Sequence, residues 1–498
     1  MTTPINIYSI SRIRDEIPFN IVEKHHSQKT ARQRTQYHEI ESLRNFVNEI
    51  FKNGMSVSDF DGFFYGFKIP QIGKEFDLLK FSEKRCLNIE LKSTAVPTEQ
   101  ILVQLIKNRH YLNHLGKRIA LYTIITDTMT CYKLSMNNEL IEVDISEIVK
   151  RLKEVSEKYI SEIDSLFRPS EYLVSPLNTP VKFIQGEYFL TQAQEQIKKD
   201  LLKGVDDAFF GGYFHLTGKP GTGKTLLLYD LAKTLSKNGK TLVVHCGKLS
   251  FGQEKIKKEI DNLNVVSAAE LKQEGFDLSK YSFILVDESH RIYTAQFKKI
   301  CDSVFMNDQI CIFSSDPDQV LSAAEKRRNI VEKIQKLELV GSFVLSEKIR
   351  TNKELNSFIT CMKNLKHKPK EPMNYSNVQL NYANTTQEAQ NILEYYRSKG
   401  YIFINYSKSN YDFSPYEAYA EDYDTHHVIG QEFDKVVMLM DDSFYYDENG
   451  VLDGVSHPNP DYLYPNLFYQ GVTRVREKLA IVVVNAPVLF ENIASIIA

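Results

Sequence analysis

The chain has 498 residues, 42% of them hydrophobic and 25% charged, with a formal net charge of −3. That length exceeds one ordinary core, so two or three domains of water-soluble globular composition are expected. The slightly negative balance excludes a blanket attraction to nucleic acid and confines any such surface to a local groove. Residues 1–6 show neither a charged n-region nor an apolar h-region, and no apolar run reaches the length of a membrane span. A cytoplasmic protein without membrane contact is therefore expected. Six scattered cysteines (Cys86, Cys131, Cys246, Cys301, Cys311, Cys361) with no C-x-x-C pair read as free thiols, not a zinc site or disulfide framework.

Residues 22–38 are basic and lack apolar periodicity, which reads as a solvated lead-in. From Glu39 the spacing Ile40, Leu43, Phe46, Val47, Ile50, Phe51 predicts an amphipathic helix. Four strand-like runs follow, 63–69, 76–81, 86–91 and 118–126, with a helical stretch over 98–114 between the last two. Asp77 stands at the start of one strand, and Glu90 and Lys92, two apart, share one face of the next. Two carboxylates converging across neighbouring strands suit a hard divalent cation, Mg²⁺ or alternatively Mn²⁺. A nearby lysine can orient or activate water, so the set has the chemistry of phosphodiester hydrolysis.

The order helix–strand–strand(Asp)–strand(Glu-x-Lys)–helix resembles the PD-(D/E)XK nuclease fold over about residues 37–135. Gln104 and Tyr111 are similar to the Gln…Tyr helix motif of its RecB-like branch. The resemblance implies Asp77 and Glu90 as metal ligands, with Lys92 and Gln104 completing the catalytic set. Glu39 or Glu41 on the first helix is a further candidate acid, and Glu75 can share the role of Asp77. The family's Pro-Asp pair is missing here, since Phe76 precedes Asp77. A charged helix is expected over 144–166, then a linker over 167–180 carrying three prolines.

Beyond the linker, Gly218-Lys-Pro-Gly-Thr-Gly-Lys-Thr225 fits G-x-x-x-x-G-K-[ST], between a short apolar strand at 213–216 and a helix-like run from Leu226. Gly218, Gly221 and Gly223 permit a backbone that wraps a phosphate with its N–H groups at a helix N-terminus. Lys224 is expected to reach the β- and γ-phosphates of ATP, and Thr225 to ligate Mg²⁺. Gln194, upstream, is placed either to bond an adenine edge or simply on the surface. The apolar strand at 282–286 ends in Asp287 and Glu288, the first to hold Mg²⁺ and the second to polarise water. A further strand, 309–314, leads to Ser315-Asp-Pro-Asp-Gln319, with Gln319 where a γ-phosphate would be sensed.

At this point the chain resembles superfamily 1 helicases and translocases over about residues 185–485. Their third motif reads G-D-x-x-Q. Residues 345–352 are similar to the fourth motif, 425–434 to the fifth and 469–476 to the sixth, all in order. The resemblance implies Arg350 as a phosphate-facing arginine, Arg474 as the arginine finger with Arg476 its alternative, and Glu432 as a nucleotide contact. Gly430-Gln431-Glu432 departs from the commoner Gln-Gly-x-Glu. Together the motifs resemble a prokaryotic group of P-loop DNA/RNA helicase domains. Few residues separate them, so large inserted accessory domains do not fit. His426 and His427 read as loop residues and not as a metal site. The aromatic, acidic segment 408–424 reads as a loop packed on the second lobe, with stacking of its tyrosines on bases as the alternative.

The expected architecture is α/β: a nuclease-like domain over 1–166, a linker over 167–180, and two RecA-like P-loop lobes over 181–340 and 341–498. The expected function is an ATP-driven motor on DNA, or else RNA, fused to a metal-dependent nuclease of prokaryotic antiviral or restriction type. The rival readings are a DNA-repair end-processing enzyme and an ATP-gated nucleic-acid sensor that does not cut.

Overall fold

The chain divides into two units, Met1–Tyr172 and Leu173–Ala498, in a computed structural model. The structure describes residues 2–27, 34–69, 72, 74–156, 159–163, 166–167, 174–317, 319–346, 352–369, 372–408, 415–455 and 462–497.

In the first unit, β1 (Phe63–Lys68), β2 (Glu75–Phe81), β3 (Arg85–Lys92), β4 (Arg118–Ile125), β5 (Thr130–Leu134) and β6 (Leu140–Val143) form one sheet in sequential order. Only β3 and β4 pair in parallel, and α4 (Thr98–Asn113) makes the crossover between them. Three helices precede the sheet, α1 (Ile7–Ser11), α2 (Glu16–His26) and α3 (Tyr37–Lys52), and α5 (Ile145–Ser156) follows it. The periodic face of α3, from Ile40 through Ile50, is buried against the sheet with Leu78, Leu87 and Ile89.

Two expectations change here. Residues 22–26 close a helix instead of forming an irregular lead-in, although Lys24, His25, Arg34 and 36–38 are exposed as expected, while 28–33 lie outside the described residues. α2 runs to His26 and buries Phe19, and the hydroxyl of buried Thr35 donates to Glu23 Oε2 (2.7 Å). One aromatic and one polar pair anchor α2, and neither registers as periodicity. The helix expected over 144–166 ends at Ser156.

The second unit holds two parallel sheets. The first runs β12-β7-β11-β10-β8-β9: β7 (Gly212–Gly218), β8 (Thr241–His245), β9 (Leu263–Ser267), β10 (Phe283–Asp287), β11 (Ile310–Ser315) and β12 (Leu339–Leu345). The second runs β13-β19-β16-β14-β15: β13 (Val378–Ala383), β14 (Ile402–Asn405), β15 (Tyr423–Asp424), β16 (Phe433–Met440) and β19 (Val475–Val484). A hairpin of β17 (Phe444–Tyr446) and β18 (Leu452–Gly454) lies outside both sheets. β8 and β11 are buried along their length, as parallel strands covered on both faces must be. The helix Lys224–Leu235 packs its leucines into the core of the first sheet. This mixed α/β arrangement with parallel sheets is consistent with RecA-like lobes.

A lobe boundary between 340 and 341 falls inside β12, which pairs with β7 through Leu345. The second half of the expected linker is also part of the lobe, because Val174 and Leu177 join its core. The described part of the acidic aromatic segment belongs to the second lobe: Tyr419 is buried in its core, and Asn405 Nδ2 donates to the carbonyls of Tyr416 (2.9 Å) and Tyr419 (3.2 Å). The six cysteines are free thiols. Among the described residues no helix is long and apolar enough to cross a membrane.

The seating of segment 174–180 can be tested at Gly252, where an added Cβ would lie 2.1 Å from the Leu177 carbonyl oxygen. Backbone cannot yield as a flexible side chain does, so Gly252→Ala should cost about 1–3 kcal/mol. Urea unfolding should show the lowered midpoint. An unchanged midpoint would mean that this segment does not pack there.

Candidate functional site

The P-loop geometry follows from its glycines. A Cβ at Gly218 would lie 2.7 Å from both Leu345 O and Thr222 Oγ1, so no side chain fits. Gly221 (φ 74°) and Gly223 (φ 81°) are left-handed, the conformation from which successive N–H groups form an anion-binding nest. Gly223 caps the helix that begins at Lys224 and Thr225. Lys224 Nζ donates to Gly218 O (2.7 Å) and Lys219 O (3.1 Å), and pairs with Asp316 Oδ2 (3.3 Å). Gln194 is buried, not on the surface. Its Nε2 donates to the carbonyls of Thr222 (3.3 Å) and Gly223 (3.2 Å), and its Oε1 accepts from Thr191 N (2.9 Å).

Asp287 ends β10, and Glu288 follows it with φ 55°, a left-handed backbone that costs a non-glycine residue about 1 kcal/mol or more. Asp287 Oδ2, Glu288 Oε2 and Gln319 Nε2 are buried and make no hydrogen bond, although His245 Nδ1 lies 3.3 Å from Asp287 Oδ2, and His290 Nε2 (3.5 Å) and Arg291 Nε (3.9 Å) lie near Glu288 Oε2. Such atoms are costly unless something satisfies them. A triphosphate with its divalent cation fits this donor set: the cation at Thr225 and Asp287, a water at Glu288, a phosphate oxygen at the Gln319 amide.

Burial alone would raise the Glu288 carboxyl, but His290 first, then Arg291, Lys224 and Arg474, pull it below the ordinary range. His290 adds to that pull only when charged. Burial, then Arg291, push His290 down to about 3, so it is neutral near pH 7. Its tautomer follows from its neighbours. Nε2–H donates to Gln319 O (3.1 Å), and Nδ1 accepts from Asp316 N (3.2 Å).

The second lobe reaches the same cleft. Arg474 is buried, donates from Nε to Gln470 O (3.1 Å), and faces Glu288, Glu432 and Asp316. Burial lowers its pKa, and Glu288 and Glu432 oppose that shift. Arg291 Nη2 bridges the lobes, donating to Gln319 O (3.2 Å) and Gln470 Oε1 (3.4 Å). Glu432 N donates to Asn178 Oδ1 (3.1 Å). Gly430 (φ 74°) passes Thr225, whose Oγ1 would lie 3.9 Å from an added Cβ. Arg476 instead pairs with Asp434 (2.6 Å). Arg350 lies outside the described residues. His427 bonds Lys248 (3.0 Å) and Asp424 (2.8 Å), and His426 packs on Tyr462. Arg291, Asp316 and Gln470 were not singled out from the sequence, where their only signal is adjacency to the motifs.

The first unit carries a separate cleft of about 230 Å³, lined among others by Glu39, Glu75, Asp77, Lys92 and Ser93. Glu90 is buried and accepts three amide bonds, from Asn88 Nδ2 (3.0 Å) and Asn108 Nδ2 (2.8 Å) at Oε1 and from Gln104 Nε2 (2.6 Å) at Oε2. Asp77 Oδ2 accepts from Leu91 N (2.9 Å). Burial first, and Glu90 second, raise Asp77 to about 7. Glu75 pairs with Lys68 (3.0 Å), Glu39 caps the Gln36 N–H (2.7 Å), and Glu41 pairs with Arg44. Tyr111 is buried. Among the described residues no group of three or more His, Cys, Asp or Glu could hold a metal ion. Asp77 and Lys92 line this cleft, and Glu90, buried behind it, acts electrostatically on Asp77. Asn88 and Asn108 were invisible to motif reading, since amides carry no spacing signal.

The nucleotide-site geometry defines a P-loop protein whose cleft is shared by two parallel-sheet lobes. The profile of the family described as Schlafen group 3, DNA/RNA helicase domain, matches residues 212–411. No curated protein sequence matches the chain. Among solved structures, the arterivirus nonstructural protein 10 helicase is similar over 57% of this chain, at 15% identity and TM-score 0.31. The alignment spans 62% of that helicase's own length. Pif1 from Bacteroides sp is similar over 60% of this chain and 92% of its own, at 14% identity and TM-score 0.31. Pif1 from Candida albicans is similar over 59% and 95%, at 11% identity and TM-score 0.33.

The Asp77 shift sets a pH test. With a folded-state value near 7 against about 3.9 unfolded, the folded chain binds the extra proton between about pH 4 and 7. Stability from this group is therefore lost as pH rises through that window. Asp77→Asn, which keeps an acceptor for Leu91 N, should raise the apparent Tm at pH 8 and change it little at pH 4. An equal effect at both values would contradict the repulsion.

Proposed function

We propose that the chain is an ATP-driven nucleic-acid motor of superfamily 1 type joined to a divalent-metal-dependent nuclease. The observation that carries the motor reading is that buried Glu288 of one lobe feels both Lys224 of its own lobe and the buried Arg474 of the other, with Asp287 and Gln319 also buried. Strand as substrate is supported by the match to a DNA/RNA helicase domain. DNA is the preferred strand and RNA the alternative.

In this reading the P-loop N–H groups and Lys224 bind the phosphates, while Thr225 and Asp287 hold Mg²⁺, which neutralises phosphate charge when bound. Glu288, ionised, orients the attacking water and accepts its proton. The Gln319 amide and the Arg474 guanidinium face the γ-phosphate from opposite lobes, with Gln194 supporting the P-loop and Glu432 the nucleotide. Hydrolysis changes the charge between the lobes, and their relative motion becomes stepping along the strand. At the second cleft, Asp77 and Glu90 hold the cation, Lys92 orients water, and Gln104 fixes the Glu90 carboxylate. A cytoplasmic motor–nuclease of this kind suits prokaryotic antiviral or restriction-type defence, and DNA-end processing in repair is the alternative setting. A non-cutting sensor is the second reading, favoured by one observation: both oxygens of Glu90 already accept amide hydrogen bonds.

Purified full-length protein tests these readings. Lys224→Ala and Glu288→Gln should each lower ATP turnover at least about a hundredfold, with Glu288→Gln still binding ATP. Near-normal turnover in either overturns the motor. With Mg²⁺ or Mn²⁺, single-stranded DNA or RNA should be cut, and Asp77→Ala, Glu90→Ala and Lys92→Ala should each abolish cutting. Intact substrate with the wild-type protein favours the sensor. Because both units share one chain, ATP should alter the rate or pattern of cutting, and the Lys224 variant should lose that response. Identical cutting with and without ATP makes the two activities independent.

A further inference from the structure

The first unit has another cleft, at the opposite end of β3 and β4 from the carboxylates. Glu90 and Lys92 stand near the end of β3, whereas this cleft opens around Arg85–Leu87 at its beginning and around Arg118–Ala120 at the beginning of β4. The extended strand from Arg85 to Lys92 spans about 23 Å. The cleft measures about 840 Å³, and the sheet itself creates it. The β4–β5 register begins at Tyr122, so Arg118–Ala120 have no β5 residue opposite them.

Its walls are cationic. Arg85, Arg109, Lys117, Arg118, Lys133 and Arg151 converge from β3, α4, the approach to β4, β4, β5 and α5. Two carboxylates accompany them. Glu154 is shared by Arg85 (3.0 Å) and Arg151 (2.9 Å), and Glu147 pairs with Lys133 (2.5 Å). Lys117 and Arg109 are held by neutral carbonyls: Lys117 Nζ donates to Glu83 O (2.6 Å) and Arg109 Nη1 to Ser135 O (2.8 Å). Those bonds fix the cations without cancelling their charge. Arg109 Nη2 is buried without a hydrogen-bond partner, and burial lowers the Arg109 pKa. In a chain of net charge −3, this is a concentrated positive groove.

The accessible apolar floor is given by half-buried Ile119 and Ala120, since Cys86 and Leu87 behind them are only 1% exposed, and Met136 stands on the rim at 95% exposure. Cationic walls over an apolar floor match a chain of phosphates carrying flat, unpaired rings. A duplex keeps its base faces inside the stack and gains nothing from such a floor. We propose that this cleft holds single-stranded nucleic acid by its phosphodiester backbone, several nucleotides from the bond placed at Asp77, Glu90 and Lys92. The proposal rests on the reading of the chain as a nucleic-acid enzyme, and supplies that reading with a strand anchor at the far end of β3 from the carboxylates.

The test uses full-length protein in EDTA, so that no strand is cut, and a labelled 20-nucleotide single strand of DNA or RNA. Anisotropy titrations are run across a NaCl series. Arg118 is exposed, so its replacement leaves the packed walls in place. Arg118→Glu should weaken binding about tenfold at 0.1 M NaCl, with the log–log salt slope shallower by about 0.7 for each phosphate no longer neutralised. Arg118→Lys should restore both, and an unchanged Tm in both variants keeps the comparison one of charge. Photo-crosslinking with a 4-thiouridine or 5-iodouracil strand should mark peptides containing Arg118 or Met136. Cross-links confined to residues 213–497, with an unchanged salt slope in Arg118→Glu, overturn the cleft and leave the motor untouched. ATP hydrolysis indifferent to nucleic acid overturns the motor, while cross-links at Met136 still support the cleft. Displacement of the strand from the cleft by AMP or polyglutamate, at phosphate- or charge-matched concentration, overturns the proposal in favour of a mononucleotide or an acidic peptide.

Discussion

The nucleotide cleft depends on one electrostatic constraint: a guanidinium buried between two lobes must find its counter-charges there. Arg474 is carried by the second lobe, yet the carboxylates that offset its burial are Glu288 of the first and Glu432 of its own. An isolated buried charge would cost several kcal/mol, so the two sheets are keyed to one another through this contact. Arg291 repeats the device in reverse, reaching from the first lobe to Gln470 and holding Gln319 O on the way. The same cations keep Glu288 ionised although it is buried. An ionised carboxylate with an oxygen that makes no hydrogen bond, beside a lysine-anchored P-loop, is the state a water-activating group needs.

The first unit shows the opposite sign. Asp77 and Glu90 are two like charges brought close, and three amides from Asn88, Gln104 and Asn108 spend their hydrogen bonds on Glu90. Burial first, and Glu90 second, raise the Asp77 carboxyl. Like charges held together in this way weaken a fold.

The P-loop was legible because glycine spacing is a direct consequence of backbone geometry: Gly218 leaves no room for Cβ, and Gly221 and Gly223 turn left-handed. Asp287 and Glu288 were legible because acids at the end of a fully apolar strand are costly unless a cation meets them there. Glu90 and Lys92 followed from the two-residue period of β3. What stayed hidden depends on distant partners. Asn108 reaches Glu90 from a helix eighteen residues away, and nothing local to Asn108 announces it. β12 was cut in two by the expected lobe boundary, since its alternation of half-buried residues reads as a surface segment until β7 is seen beside it. The basic cleft was equally invisible, because its six cations are spread from Arg85 to Arg151 and only the sheet gathers them.

The claim at the centre is that one catalytic site is completed across two lobes, and Arg474→Ala tests it most directly. Equilibrium binding of a fluorescent ATP analogue and steady-state hydrolysis should be measured on the same preparation. A transition-state cation leaves ground-state binding nearly intact, so binding should change less than about threefold while turnover falls at least about a hundredfold. If binding falls as steeply as turnover, Arg474 holds the lobes together instead of acting on the phosphate, and the shared-site account is wrong.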